Sequence, residues 1–330
     1  MGMKRDMQDQ IERYRAFCSS ETSVPIFCRD WWLDAVAAQK WGAVLIESEG
    51  RVAAAMPYVV GRRFAQPVIL QPPLTQFLGP WLAPCAGREQ KRLETEKELL
   101  QQLFAQLPYT AGFRQTWHRD RTNWLPLHWL GYSQTTRYTY RLEDLTDLEA
   151  VWSGFSSNIR REIRKAEGRF GLRLRKSPTI DHLLDLAERT FRRQGRGLPY
   201  ERSIVQRIEA ACRERAQSRI LIAEDAQGRA HAGCYLVWDS ESAYYLLGGG
   251  DPELRNSGAM SLVMWEAIRF SAEVSDSFDF EGSMIESIER FFRAFGALQT
   301  PYFAISRSSS CALLLANALS DCARLRAKRR

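Results

Sequence analysis

The chain lacks the long apolar run that a membrane span requires. Its longest candidate, 52–60, has nine residues and contains Pro57, whereas a spanning helix takes about 20. It also lacks clustered metal ligands. Seven cysteines (18, 28, 85, 212, 234, 311 and 322) stand singly, without a C-x-x-C, and the four histidines are not at ligand spacing from them. Neither a metal site nor a disulfide framework is expected, and reduced thiols in a core account for the cysteines. There is no Walker A loop and no strand-placed G-x-G-x-x-G, which sets aside nucleotide hydrolysis and hydride transfer. No Ser-His-Asp or Cys-His set suggests a covalent acyl-enzyme. The opening MGMKRDMQDQ has no apolar core of a signal peptide, so a cytoplasmic location is expected.

What is present is a globular composition of two-domain size: 330 residues, 45% hydrophobic and 26% charged, which excludes a mainly disordered chain. The net charge of +7 is concentrated. Segment 158–176 holds Arg160, Arg161, Arg164, Lys165, Arg169, Arg173, Arg175 and Lys176 against only Glu162 and Glu167, and Arg189, Arg192, Arg193 and Arg196 follow. Such excess fits an anionic partner: a nucleotide, a cofactor pyrophosphate, RNA or a phospholipid headgroup. A solvated helix face that keeps the protein soluble is the plainer alternative.

Periodicity predicts helices over 8–18 and 31–39, the latter capped by Asp30, then strands 43–48 and 51–60 about a Glu49-Gly50 turn. Segment 71–84, QPPLTQFLGPWLAP, is too apolar for a linker and reads as a packed loop with a short strand. An amphipathic helix over 89–107 and strands at 113–117 and 134–142 close the first half. The second half repeats this order: helices 179–194 and 201–217, a hairpin of 219–224 and 230–238, and a strand at 242–247. A glycine-rich loop, a helix over 257–273, a strand at 277–281, a helix over 285–295 and a final strand at 299–306 follow. Gly50-Arg51-x-x-Ala54 matches Gly228-Arg229-x-x-Ala232. The repeated order predicts two α/β domains, 1–147 and 148–330. The tail 310–330 reads as an amphipathic helix with a basic end.

The most informative stretch is 244–270, YYLLGGGDPELRNSGAMSLVMWEAIRF. It reads as a strand, a glycine run, Arg255-x-x-Gly258, then a helix. Gly258 admits close backbone approach, and the unpaired N–H groups of Ser257, Gly258 and Ala259 at the helix start favour an anion. Arg255 adds a charge-assisted bond. Gly248-Gly249-Gly250, at the strand's end, would splay it from its neighbour and leave backbone donors free. In SFDFEGS (277–283), alternation puts Asp279 and Glu281 on one strand face. One of them, with a raised pKa, would take a proton from an attacking amine.

Arg255-x-x-Gly258 between a splayed strand and a helix resembles the acyl-CoA pyrophosphate loop of GNAT acyltransferases. Asn158-x-Arg160-Arg161-x-Ile163-Arg164-Lys165-Ala166 resembles the joining element of Fem-type aminoacyl transferases and the related BioF2-like acetyltransferase group. So do FDFEGS with Ile288-Glu289-Arg290-Phe291-Phe292-Arg293-x-Phe295-Gly296, and the segment from Pro72 to Trp81. The resemblance spans about 25–306 and implies α/β (α+β) architecture: two GNAT-like domains in tandem, each a mixed, mostly antiparallel sheet flanked by helices. It implies N-acyl transfer to a small-molecule or peptide amine in a cleft between the domains, with no permanently bound cofactor and acyl-CoA as co-substrate. In Fem enzymes the donor is aminoacyl-tRNA and the acceptor a cell-wall precursor peptide. Here only 195–200 joins the two helices where some members carry a coiled coil, and Phe291-Phe292 replaces the usual Phe-Lys. Both departures favour acyl-CoA over tRNA.

On this reading Glu281 or Asp279 deprotonates the acceptor, and backbone around Leu247, Gly248 and Gly249 stabilises the oxyanion. Tyr244 or Tyr245, the latter preferred, protonates the leaving group. Arg255, Ser257, Gly258 and Ala259 hold the donor. Arg193, Arg161, Thr75, Gln76 and Phe77 contact the acceptor, and the basic segments can touch a membrane surface without spanning it. An aminoacyl-tRNA-dependent transferase and a non-catalytic polyanion- or partner-binding protein are the alternatives.

Overall fold

The computed structural model describes residues 2–85, 87–282, 284–311 and 313; most of the expected tail helix, 310–330, lies outside them. In chain order the elements are α1 (Gly2–Ser20), α2 (Asp30–Ala37), β1 (Trp41–Ser48), β2 (Arg51–Arg63), β3 (Gln66–Leu70) and β4 (Trp81–Leu82). Next come α3 (Glu89–Gln106), β5 (Gly112–Thr116), α4 (Leu125–Trp129), β6 (Ser133–Leu142), α5 (Leu148–Gly154), α6 (Ser157–Gly168) and β7 (Arg173–Leu174). Then follow α7 (Ile180–Arg193), α8 (Arg202–Arg213), β8 (Ser218–Glu224), β9 (Ala230–Trp238), β10 (Ser242–Gly250), α9 (Ala259–Ser271), β11 (Ser277–Asp279), α10 (Glu286–Arg293) and β12 (Leu298–Ser308).

Two compact units result, one of residues up to Arg137 together with those from Tyr302 on, the other Tyr138–Pro301. This differs from the expected consecutive segments, 1–147 and 148–330. The reason is the last strand: Ala304–Ser308 of β12 pairs antiparallel with β5, so the chain returns to the first unit at its end.

In the first unit β1, β2, β3, β5 and the end of β12 form a sheet, antiparallel except for β3 beside β5, with β4 added to β2. Leu100, Leu103 and Phe104 of α3 pack on Val44, Met56, Ile69, Phe113 and Ile305. Tyr14 of α1 donates to the Cys28 carbonyl (2.7 Å) and meets Trp41 edge-on. Asp30 is the first residue of α2, not its cap.

In the second unit the strand order is β6-β11-β10-β9-β8-β7, again antiparallel with one parallel pair, β10 with β11. Alternation along β9 turns Ala232, Cys234 and Leu236 toward the core built on α9. The intervening Gly233 lies under α7, where an added Cβ would come within 3.0 Å of Leu183. The two hairpins match as the sequence repeat predicts: Gly50 and Gly228 both turn with φ of 75°, and each hairpin has a register shift beside its turn.

The glycine run expected as a loop is strand: β10 continues to Gly250. Gly249 has a packing reason, because a Cβ there would lie 2.4 Å from the backbone nitrogen of Ala187 in α7. Glycine thus lets a helix rest directly on the sheet. Gly249→Ala should lower the melting temperature of the protein by about 3–10 °C, the response to about 1–3 kcal/mol of overpacking; a thermal melt checks this.

Candidate active site

The second unit's sheet opens at its middle. Parallel pairing between β10 and β11 runs from Ser242↔Ser277 to Tyr244↔Asp279 and stops, while β10 goes on to Gly250. At the point of parting, the β10–β9 register shifts between Tyr245 and Leu247, a bulge at Leu246. A bulge re-aims side chains and backbone groups and ends regular pairing. Leu247 and Gly248 resume the ladder opposite Tyr235 and Cys234. Gly248 is glycine because the Tyr245 hydroxyl occupies its side-chain position, 2.1 Å from where a Cβ would be. Farther on, the Gly250 N–H donates to Thr190 Oγ1 of α7 (2.9 Å) and is not left free.

Where β11 ends, two carboxylates are buried within two residues of each other, Asp279 at 5% exposure and Glu281 at 6%. Asp279 is locked. One of its oxygens, Oδ1, accepts from Thr139 Oγ1 and from the Glu281 N–H (2.8 Å), and its Oδ2 lies 3.8 Å from Arg141 Nε. Arg141 is itself held by Ser277 Oγ at 2.9 Å. Glu281 turns off the strand with φ of 58°, a left-handed conformation uncommon outside glycine. Burial, and next the charge of Asp279, push its carboxyl well above the usual carboxylate range. The pair is therefore differentiated, one carboxylate anchored and the other with its proton affinity raised.

Tyr245 is half-buried, with Phe292 edge-on at 6.0 Å. Burial holds its phenol well above its ordinary value, with smaller contributions from Cys234, Tyr200 and Glu281. Tyr200, in the α7–α8 connection, is raised to about 12 by burial. Both phenols carry their protons at neutral pH. Sequence reasoning missed Tyr200, Thr139 and Arg141. The signal for the last two was available in 134–142, where polar Thr139 and Arg141 alternate with Tyr140 and Leu142, and Arg141 pairs with Asp279 in register.

The expected donor seat differs from its sequence reading. Gly258 has φ of 80° and precedes α9, but the approach it permits is to α6: a Cβ would sit 2.2 Å from the Glu162 carbonyl oxygen. Ser257 and Ala259 are buried, and the Ala259 N–H is 3.4 Å from Ser257 Oγ. Arg255 is exposed and makes no side-chain hydrogen bond or ion pair among the described residues. Arg193 ends α7 exposed, and Arg161 is exposed with Nη2 donating to Asn158 Oδ1 (2.6 Å). Thr75 and Phe77 do structural work in the first unit. Thr75 Oγ1 accepts from Trp32 Nε1 (3.0 Å), and Phe77 packs edge-on against Phe27 and His118. The backbone carbonyl of Gln76 accepts from Thr116 Oγ1 (2.5 Å). Thr75 and Phe77 are buried, and Gln76 is half-buried.

Residues 153–284 match the family described as an acetyltransferase (GNAT) domain. The solved structure of FemX matches with a TM-score of 0.67 at 14% identity, over 89% of this chain and 95% of that one. The C-terminal domain of a putative lysylphosphatidylglycerol synthetase from Agrobacterium fabrum gives 0.55 at 14% identity, over 96% and 97%. A tandem GNAT protein from the clavulanic acid biosynthesis pathway gives 0.51 at 10% identity, over 93% and 96%. No curated protein sequence matches. The chain has the expected α/β fold of tandem GNAT proteins and resembles the Fem-type acyltransferases.

The raised carboxyl of Glu281 has a stability consequence. A group whose acid form is favoured by folding opposes the folded state once pH exceeds its unfolded pKa. Glu281→Gln should therefore melt at a higher temperature than the parent at neutral pH. The difference should close as pH falls to the ordinary carboxylate range, which melts from pH 4 to 8 test.

Proposed function

We propose that this chain, whose fold is that of tandem GNAT-type acyltransferases, transfers an acyl group to an amine by direct attack, with Glu281 as general base. The observation that carries this reading is a buried carboxyl, its proton affinity raised by burial and by the neighbouring Asp279, at the place where β10 and β11 part. Glu281 takes the proton from the attacking amine, directly or through one water. The amine nitrogen bonds to the donor carbonyl carbon, and backbone N–H groups near the Leu246 bulge, in the stretch from Leu247 to Gly249, stabilise the oxyanion. One well-placed donor of that kind is worth about 3–4 kcal/mol. The carbon–sulfur or carbon–oxygen bond then breaks, Tyr245 protonates the leaving group, and the proton on Glu281 restores the phenol. Asp279 does not act as the base: its contacts with Thr139, Arg141 and the Glu281 N–H make it the residue that holds Glu281 in place.

Acyl-CoA is the first donor reading. It rests on the GNAT-domain match and on exposed Arg255 beside the start of α9. The second reading is an aminoacyl-tRNA donor. The close packing of α6 on Gly258 favours it, because that contact takes the approach a pyrophosphate would need. Likeness to FemX and to a lysylphosphatidylglycerol synthetase domain supports the same reading. Turnover of a panel of amines with acetyl-CoA, set beside turnover with charged tRNA, separates the two. A tRNA donor should lose affinity steeply with salt, by a log–log slope of about −0.7 to −0.9 per neutralised phosphate, and should be indifferent to competing CoA.

With either donor, Glu281→Gln should lower kcat by about 10²–10⁴-fold, the usual size of a general-base contribution. Asp279→Asn removes the charge that helps raise Glu281, so the acid limb of the kcat/KM profile should move to lower pH. An unchanged limb, or full activity in Glu281→Gln, would remove Glu281 from the role.

A further inference from the structure

Shortly after Glu281 the chain exposes three large apolar side chains: Met284 and Ile285, each 56% exposed, and Ile288 at 38%. They lead into α10. At 3.6 residues per turn Ile288, Phe291 and Phe292 fall on one face of that helix, with Ile285 at its start and Phe295 just past its end. The far part of the face is covered. Phe292 and Phe295 are buried, and the Phe292 ring lies 5.3 Å from Phe280 and 6.0 Å from Tyr245. Ile288, one turn back from Phe292, is exposed. A single apolar face therefore begins in solvent and ends on the rings that touch Tyr245 and the residue before Glu281.

The helix is held against rolling to bury the rest. The Tyr140 hydroxyl donates to Glu289 Oε1 (2.8 Å) and accepts from Gln299 Nε2 (2.6 Å), which ties the polar side of α10 to β6 and β12. The charges on that side satisfy one another, Arg290 with Glu286 (3.3 Å) and Arg293 with Glu289 (2.7 Å). Two pairs of opposite sign leave α10 no excess charge for an anionic membrane surface or headgroup. What its open face matches is an uncharged hydrocarbon that reaches the reacting centre.

We propose that this face seats the acyl chain of the donor, and that the group transferred is a linear hydrocarbon acyl group of medium length. The inference rests on the acyl-transfer reading, which puts the donor carbonyl beside Glu281. From Ile285 to Phe292 the face runs about 10 Å at the helical rise of 1.5 Å per residue, the length of about eight extended carbons. With a thioester donor the amine nitrogen bonds to the acyl carbon, the carbon–sulfur bond breaks and CoA leaves as the thiol. Each methylene laid on apolar surface tightens binding by up to about 4-fold.

The test is calorimetry of the full chain with acetyl-, butyryl- and octanoyl-CoA in the absence of amine, and turnover of the same thioesters with a panel of amines. Octanoyl-CoA should bind about 10–100-fold more tightly than acetyl-CoA, the effect of six further methylenes partly covered. Ile288→Ser should shrink that ratio by about 3–10-fold. Met284→Ser should also shrink it, and carries the test should Ile288→Ser fail to fold. A ratio near one, no binding of octanoyl-CoA, or a ratio unmoved by both variants would overturn the proposal. So would self-association or vesicle flotation of the parent that Ile288→Ser abolishes, because the face would then belong to a second copy or to a membrane. The two readings fail separately. Turnover of acetyl-CoA without chain preference keeps acyl transfer and removes the seat. Octanoyl-CoA binding that depends on Ile288, with no amine acylated, keeps the seat and removes acyl transfer.

Discussion

Two acids cannot share a dry site on equal terms, and the second unit is arranged around that constraint. Leaving an unpaired charge in such a place costs several kcal/mol. Thr139, Arg141 and a backbone N–H converge on Asp279, and burial, with the charge of Asp279 added to it, raises the proton affinity of Glu281. The same N–H belongs to Glu281, so the anchor that raises its pKa also fixes the left-handed turn that carries it. Electrostatics and backbone geometry are one device here.

The surroundings follow from keeping the sheet open beside that pair. β10 and β11 stay together only as far as Asp279, and the bulge at Leu246 turns β10 aside at once. A strand leaving its neighbour exposes backbone, and the fold covers much of it. Thr190 takes the Gly250 N–H, α7 rests on Gly249, and the Tyr245 hydroxyl arcs over Gly248.

Much of this was legible in the sequence. The hairpins at Gly50 and Gly228, the helices expected over 179–194 and 201–217 and found over 180–193 and 202–213, and the repeated element order came from periodicity and turn chemistry, which are local properties. The carboxylate pair was legible through its alternation with Phe278 and Phe280. The neighbours of the glycines were out of reach, because a glycine permits close approach without naming what approaches: at Gly248, Gly249 and Gly258 it is a phenol, a helix and a carbonyl of this same chain. The partner of β12 and the separation of Asp279 from Glu281 were out of reach, since both depend on strands far apart in sequence, β5 in one case and β6 in the other.

The two units share one strand arrangement at matching places. Among the described residues each unit has one parallel strand pair joined through a helix, β3 and β5 through α3 in the first, β10 and β11 through α9 in the second. Parallel pairing ends at Ile69↔Phe113 in one and at Tyr244↔Asp279 in the other. Two residues beyond, the second unit has Glu281 and the first has Gln115, both buried. Gln115 donates to the Pro57 carbonyl (3.1 Å), a bond a carboxylate could not make. The first unit thus has at the matching place an amide locked into its own sheet, where the second has the buried carboxyl that the proposed reaction uses as base; positions that the topology makes equivalent carry groups of different proton chemistry.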